Sequence, residues 1–238
     1  MVRGFATWLH NLDPAVEIPP TDVLAFQARR AVPYLYSPAD ITALMDAAAT
    51  LKGRLRQATY RTLIGLLAVT GMRVGEARRL DRVDVDLKQG TLAVRHTKFD
   101  KSRLLPLHPS TTQALSDYLN LRDRLAPPDA STTVFISPRG KPLIACNVES
   151  IFRILVARAG PEPRGAARPR MHDLRHSFIV AAVLDGYQRG LDVQARLAAI
   201  ATYAGHDDPK ASYWYLTASP ELMAIAGERL DTYLEAAR

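Results

Sequence analysis

Along most of this chain the apolar residues recur at helical steps of three and four, and in one stretch they switch to steps of two. That switch restricts the fold more than any other feature. Val83, Val85 and Leu87 alternate with Asp84 and Asp86, and Lys88-Gln89-Gly90 then makes a turn. Thr91–His96 and Ser102–Leu107 read as two further strands. A small antiparallel sheet set inside a helical chain is the expectation, so the fold class is mostly α (α+β).

The helices carry their own punctuation. Ser37-Pro38-Ala39-Asp40 is a start signal: serine caps free amides, proline suits the first turn, and aspartate favours the positive helix end. Ile41, Leu44 and Met45 follow at helical spacing. A longer helix is expected over Ala58–Val69, with Tyr60, Leu63, Ile64, Leu66 and Leu67 largely buried. Gly71 ends it, and a short helix runs from Val74 to Leu80. Beyond the sheet, Ser110–Leu125 returns to helix until Pro127-Pro128, and Val134–Ile136 reads as a short strand. Helices are expected over Asn147–Ala159, His172–Leu184, Val193–Tyr203 and Pro220–Ala237, with Asp185–Gly190 as a long inter-helix loop. At the other end, Met1–Leu12 is an amphipathic helix. Asp13–Pro20 is extended by its prolines, and a few helical residues follow around Val23–Arg29.

The net charge of +7 suits a polyanionic partner. The basic residues are spread along the chain, which describes a folded basic surface and not a basic arm. No apolar run is long enough to span a bilayer, and the N-terminus lacks the apolar core of a signal peptide. Cys146 is the only cysteine. It permits no intrachain disulfide or cysteine zinc site, and fits a reducing, cytoplasmic location.

The C-terminal third holds His172-Asp173-Leu174-Arg175-His176-Ser177, then Gly205-His206, then Tyr213-Trp214-Tyr215. Upstream stand Thr70-Gly71-Met72-Arg73-Val74-Gly75-Glu76 and Thr97-Lys98-Phe99-Asp100-Lys101-Ser102-Arg103. Breaking a phosphodiester needs a nucleophile, stabilisation of charge on phosphorus, and a proton for the leaving oxygen. Metal nucleases do this with clustered carboxylates. Here Asp207-Asp208 is a helix-start pair, and Asp84 and Asp86 share one face of a short strand. Two guanidiniums can replace the metal, because each stays charged and grips two phosphate oxygens. His172 and Arg175, three apart, share a helix face, as do Arg73 and Glu76. Read singly, each has an ordinary role as well: a solvated Arg73, a capping or core His172, a turn Lys98, a capping His206, a core Tyr215.

Taken in order, these residues resemble the tyrosine recombinase (phage integrase) family, which carries Arg, Lys, His-x-x-Arg, His and Tyr in this sequence. The resemblance runs from about Ala31 to the C-terminus. It implies the family's helical catalytic domain, acting on double-stranded DNA without a cofactor or metal. On that resemblance Tyr215 attacks the scissile phosphate and forms a 3′-phosphotyrosyl link. Arg73 and Arg175 clamp the non-bridging oxygens, and Lys98 protonates the departing 5′ oxygen. His172 assists proton transfer, His206 bonds the phosphoryl group, and Glu76 supports the site. Lys101 and Arg103 are expected to touch the phosphate backbone.

The usual Leu-Gly-His is Ala204-Gly205-His206 here, a change in packing only. Residues 1–30 are expected to be the last helix of a DNA-clamping domain plus a linker, and 31–238 the catalytic domain. The activity implied is site-specific recombination of the mobile-element integrase type. The alternatives are a truncated remnant that binds DNA weakly, and type IB topoisomerase-like relaxation. Assembly is expected as a tetramer on paired DNA sites and a monomer in free solution. Pro220–Ala237 is either exchanged between subunits or docked on its own core.

Overall fold

The computed structural model describes residues 2–20, 33–95, 102–162 and 167–205, together with helical backbone at Ala224 and Gly227. The expected helices at Val23–Arg29 and, almost entirely, Pro220–Ala237 lie outside the described residues, as do Lys98, Lys101, His206 and Tyr215. The chain forms two compact units, Met1–Ala31 and Val32–Arg238.

In the first unit, helix α1 spans Val2–Leu12. Phe5, Trp8 and Leu12 are exposed, and Phe5 stacks on Trp8 with ring centroids 6.0 Å apart. The His10 ring bonds the Val16 carbonyl at 2.7 Å and folds the following turn back on the helix.

The second unit is built on α3, Arg54–Thr70. Leu63, Ile64, Leu66 and Leu67 of α3 are at most 2% exposed. It packs against α2 (Pro38–Ala47), α5 (Pro109–Leu125) and α7 (Asp173–Gln188). Ser37 starts α2 as expected: its hydroxyl accepts the Asp40 amide at 3.1 Å while the Asp40 carboxylate accepts the Ser37 amide at 2.8 Å. This reciprocal cap satisfies two donors that a helix start leaves open. The short α4, Val74–Arg79, follows the Gly71 turn. Strands β1 (Val85–Asp86), β2 (Thr91–Val94) and β3 (Arg103–Pro106) form an antiparallel sheet in the order β1-β2-β3. The register pairs Leu92 with Leu105 and Val94 with Arg103. Leu92, Val94 and Leu105 therefore face the core, Arg103 lies on that same face, and Leu104 points to water at 70% exposure. Helices α6 (Ala145–Ala159) and α8 (Val193–Ala204) complete the unit.

Three expectations change. The first strand is shorter, because a 3-10 turn at Arg82–Asp84 occupies its expected start. Val134–Ile136 forms no strand: all three residues are fully buried, with isolated bridges at Asp81–Thr133 and Ile136–Pro142. That apolar run reports burial, which a non-ladder segment can also have. The segment Asp185–Gln188, expected as loop, continues α7. Asp185 pairs with Arg189 one turn on, at 2.7 Å, and with Arg196 of α8 at 2.9 Å. Gly186 packs under the Arg196 side chain, so the glycine serves a close helix approach and not a turn. Ile179, Val180 and Val183 of α7 pack on Leu197, Ile200 and Ala204 of α8 in a cluster of their own.

Candidate active site

The site is assembled where the ends of α3 and α8 meet the starts of α4 and α7. Gly71 caps α3 in the left-handed conformation, φ +59°, and a Cβ there would lie 2.3 Å from the Phe178 ring. Glycine alone meets both conditions. The turn places Arg73 as the residue before α4, where its amide donates to Glu76 Oε2 at 2.9 Å. Its guanidinium donates to Glu76 Oε1 at 2.9 Å and to the Gly205 carbonyl at 2.8 Å.

Glu76 is 5% exposed. It also accepts two bonds from Arg103, at 2.8 and 3.3 Å. Burial pushes its carboxyl pKa up, but the hydrogen bonds and charge of Arg103 and the bonds from Arg73 outweigh burial and hold it below the ordinary value.

The C-terminal end of α8 gathers three arginines, from β3, from α7 and from the residue before α4. Arg103 of β3 donates from Nε to the Tyr203 carbonyl at 2.9 Å. Arg175 of α7 donates to the Ala204 carbonyl at 2.7 Å and to the Gly71 carbonyl at 2.7 Å. Arg73 takes Gly205. Carbonyls at a helix C-terminus lack intrahelical donors and sit at the negative end of the helix dipole, so cations belong there. Arg175, 3% exposed, thus spans the C-terminal ends of α3 and α8. The stack of Phe178 on Tyr203, ring centroids 5.7 Å apart, closes the same junction from the apolar side.

His172 precedes α7, and its surface is open to water at the mouth of this cluster. The atoms packed around its ring, and then the Arg175 charge, push its pKa below the ordinary histidine value, against an upward pull from Asp173. A neutral imidazole is therefore favoured beside the guanidiniums. The His176 ring stands perpendicular to it at 4.9 Å. Behind both, the fully buried Asp173 accepts the Arg170 amide at 2.9 Å and the Arg170 guanidinium at 2.9 Å. This pins the first turn of α7.

Residues 36–221 match the phage integrase family model. An integrase/recombinase so named, y4rB of Sinorhizobium fredii, is 42% identical over 97% of this chain and 76% of its own length. The chain belongs to the phage integrase family. Among solved structures, the XerA recombinase is similar over 94% of this chain and 73% of its own, with a TM-score of 0.65 at 23% identity. The XerH site-specific recombinase, solved on its palindromic difH substrate, has a TM-score of 0.65 at 22% identity over 87% of this chain and 56% of its own. Its fold is thus that of the tyrosine recombinases, whose catalytic domains are helical with a small antiparallel sheet.

Four of the expected site residues of this family member are described together: Arg73, Glu76, His172 and Arg175 converge on the junction of α3, α4, α7 and α8. Lys98, Lys101, His206 and Tyr215 are outside the described residues; in the sequence His206 follows Gly205, and Lys98 stands before β3. Arg103, expected on the DNA backbone, is also described. Its side chain is 12% exposed and turned inward on Glu76 and Tyr203. The sequence reading also missed the carbonyls of Tyr203, Ala204 and Gly205 as arginine acceptors. One signal was present: Leu105 in the core places Arg103, two residues away, on the same face. The Leu104-Leu105 pair hid it, since either leucine could have been the inward one. Among the described residues no group of three or more His, Cys, Asp or Glu is arranged to hold a metal. No described helix is long and apolar enough to cross a membrane.

Proposed function

We propose that this chain breaks and rejoins double-stranded DNA at specific sites, as an integrase of a mobile element. The observation that carries the reading is the convergence of Arg73 and Arg175 on neighbouring carbonyls at the end of α8, with His172 close enough for the charges of both to act on it. Two fixed guanidiniums suit the two non-bridging oxygens of a phosphodiester, whose charge grows in the transition state. The Tyr215 oxygen forms a bond to phosphorus as the bond to the 5′ oxygen breaks. The tyrosine proton passes to His172, and Lys98 supplies the proton that the 5′ oxygen takes. One phosphate ester replaces another, so a DNA 5′-hydroxyl can reverse the step with no other energy source. His206 bonds the phosphoryl group, and Glu76 stays structural.

The kinship to y4rB and the difH-bound state of XerH support DNA as the partner. In this reading residues 1–30 are the end of a clamping domain with its linker, and 31–238 carry the chemistry. Four copies assemble on two paired sites, and the free protein is monomeric and cytoplasmic.

The test is covalent capture. A pool of singly nicked duplexes with randomised centres is incubated with the protein, and protein-linked DNA is recovered and amplified. The wild type enriches a sequence, and Tyr215→Phe captures none. Adduct formation by the Phe variant removes Tyr215 as nucleophile. Failure of the wild type to capture any duplex removes the proposal.

A further inference from the structure

Among the described residues Arg103 makes three bonds, two to the Glu76 carboxylate and one to the Tyr203 carbonyl. It does so from the core face of β3, opposite Val94. A guanidinium so committed, with its side chain 12% exposed, is badly placed to reach a phosphate outside. Room has also been left for it. Gly205, φ +72°, lies so close that a Cβ there would be 2.7 Å from the Arg103 Nη1. The glycine before His206 therefore admits the Arg103 guanidinium beneath the end of α8.

The charges matter more than the contacts. Glu76 carries one negative charge between two guanidiniums, Arg73 and Arg103, so the trio keeps one net positive charge. With Arg103 removed, Glu76 pairs with Arg73 alone and the pair is neutral. Arg73 would then stabilise less of the charge that grows on the phosphate in the transition state, although it touches the same atoms. Arg103 also bonds the residue two before Gly205, so it ties the start of β3 to the end of α8.

We infer that Arg103 is a positioning residue of this site and not a DNA contact: it holds Glu76 and the end of α8 so that Arg73 keeps its charge for the scissile phosphate. The inference rests on the DNA-cleaving reading above. Its test uses the duplex enriched by the wild type. For Arg103→Met, the rate of adduct formation should fall on the order of 10²-fold, while duplex affinity and its dependence on salt stay at the wild-type values. The double variant Glu76→Gln/Arg103→Met should recover part of that rate, because the carboxylate that neutralises Arg73 is gone. A purely structural role would make the double variant worse. Arg103→Lys, which keeps the charge and loses the fork, should fall between. It carries the test if thermal unfolding shows that Arg103→Met does not fold.

A salt slope reduced by about 0.9, the loss of one phosphate contact, would make Arg103 a DNA contact and overturn the inference. An unchanged adduct rate would overturn it equally. If the wild type captures no DNA, the proposed function falls and amide hydrogen exchange decides this point. Arg103→Met should speed exchange over Thr202–Gly205 and leave α5 unchanged; equal exchange over Thr202–Gly205 sinks it.

Discussion

Glu76 holds two guanidiniums from a position almost closed to water, so its loss should be felt in stability before activity is considered. Removing one member of a buried ion pair strands the other. With Arg73 a third exposed and able to turn to water, Glu76→Ala should cost about 3 kcal/mol, read from urea unfolding. The depressed carboxyl pKa fixes the sign with pH. The folded state binds the proton less readily than the unfolded chain, so this contribution is complete above the ordinary glutamate pKa and is lost as pH falls through the folded value. The stability gap between wild type and Glu76→Gln should therefore close in acid; a gap constant from neutrality to below pH of about 4 would contradict the pairing. His172 has the same sign of shift with a different consequence. As the acceptor of the tyrosine proton it must be neutral, so the adduct rate should fall only below the ordinary histidine pKa of about 6.5. A limb at or above that value would show that another group is the acceptor. Arg73, Glu76, His172 and Arg175 were legible because each sits in a short motif that fixes its local geometry. The partners of Arg103 were not, because Glu76 and Tyr203 are far from it in sequence and only the sheet register turns it inward.

Elements whose ends are written in side chains were read well, and those that end through packing were not. Ser37 caps α2 through its own hydroxyl, and Gly71 stops α3 by its left-handed backbone; both signals are local. Ser37→Ala should cost about 1 kcal/mol in the unfolding free energy, and a neutral effect would mean that Asp40 alone satisfies the helix start. Gly71→Ala should cost more, about 1–2 kcal/mol from the backbone and a further ~1–3 kcal/mol from overpacking. The two parts separate in a double-mutant cycle. Phe178→Ala removes the ring 2.3 Å from the new Cβ, so Gly71→Ala should be milder in that background and still unfavourable. Additive costs would place the whole effect in the backbone. The extension of α7 to Gln188 belongs to the other class. Asp185-Gly186 looks like a turn, and it becomes helix because α8 supplies Arg196 to both residues, a partner that no local window contains.

At the scale of the molecule, the sequence carries the sum of the charges and not their arrangement. The net +7 says that a polyanion will be attracted, but the structure commits several of the cations inward. Arg73 and Arg175 each reach carbonyls at the end of α8, and Arg103 is held by Glu76. The family order of motifs supplied what periodicity could not, because it encodes which distant segments meet. Binding to DNA should accordingly draw on the remaining surface cations together with the site. Each phosphate neutralised releases counterions, so log affinity should fall linearly with log salt, by about 0.9 per phosphate. Engagement of about six phosphates would lower affinity on the order of 10³-fold between roughly 50 and 200 mM salt. Fluorescence anisotropy of the enriched duplex against salt measures this directly. A nearly flat dependence would mean that the excess positive charge does not face DNA, and the basic surface would then need another partner. A steep line shared by wild type and Arg103→Met would instead place the DNA-facing charge on other side chains and leave Arg103 with its inward task.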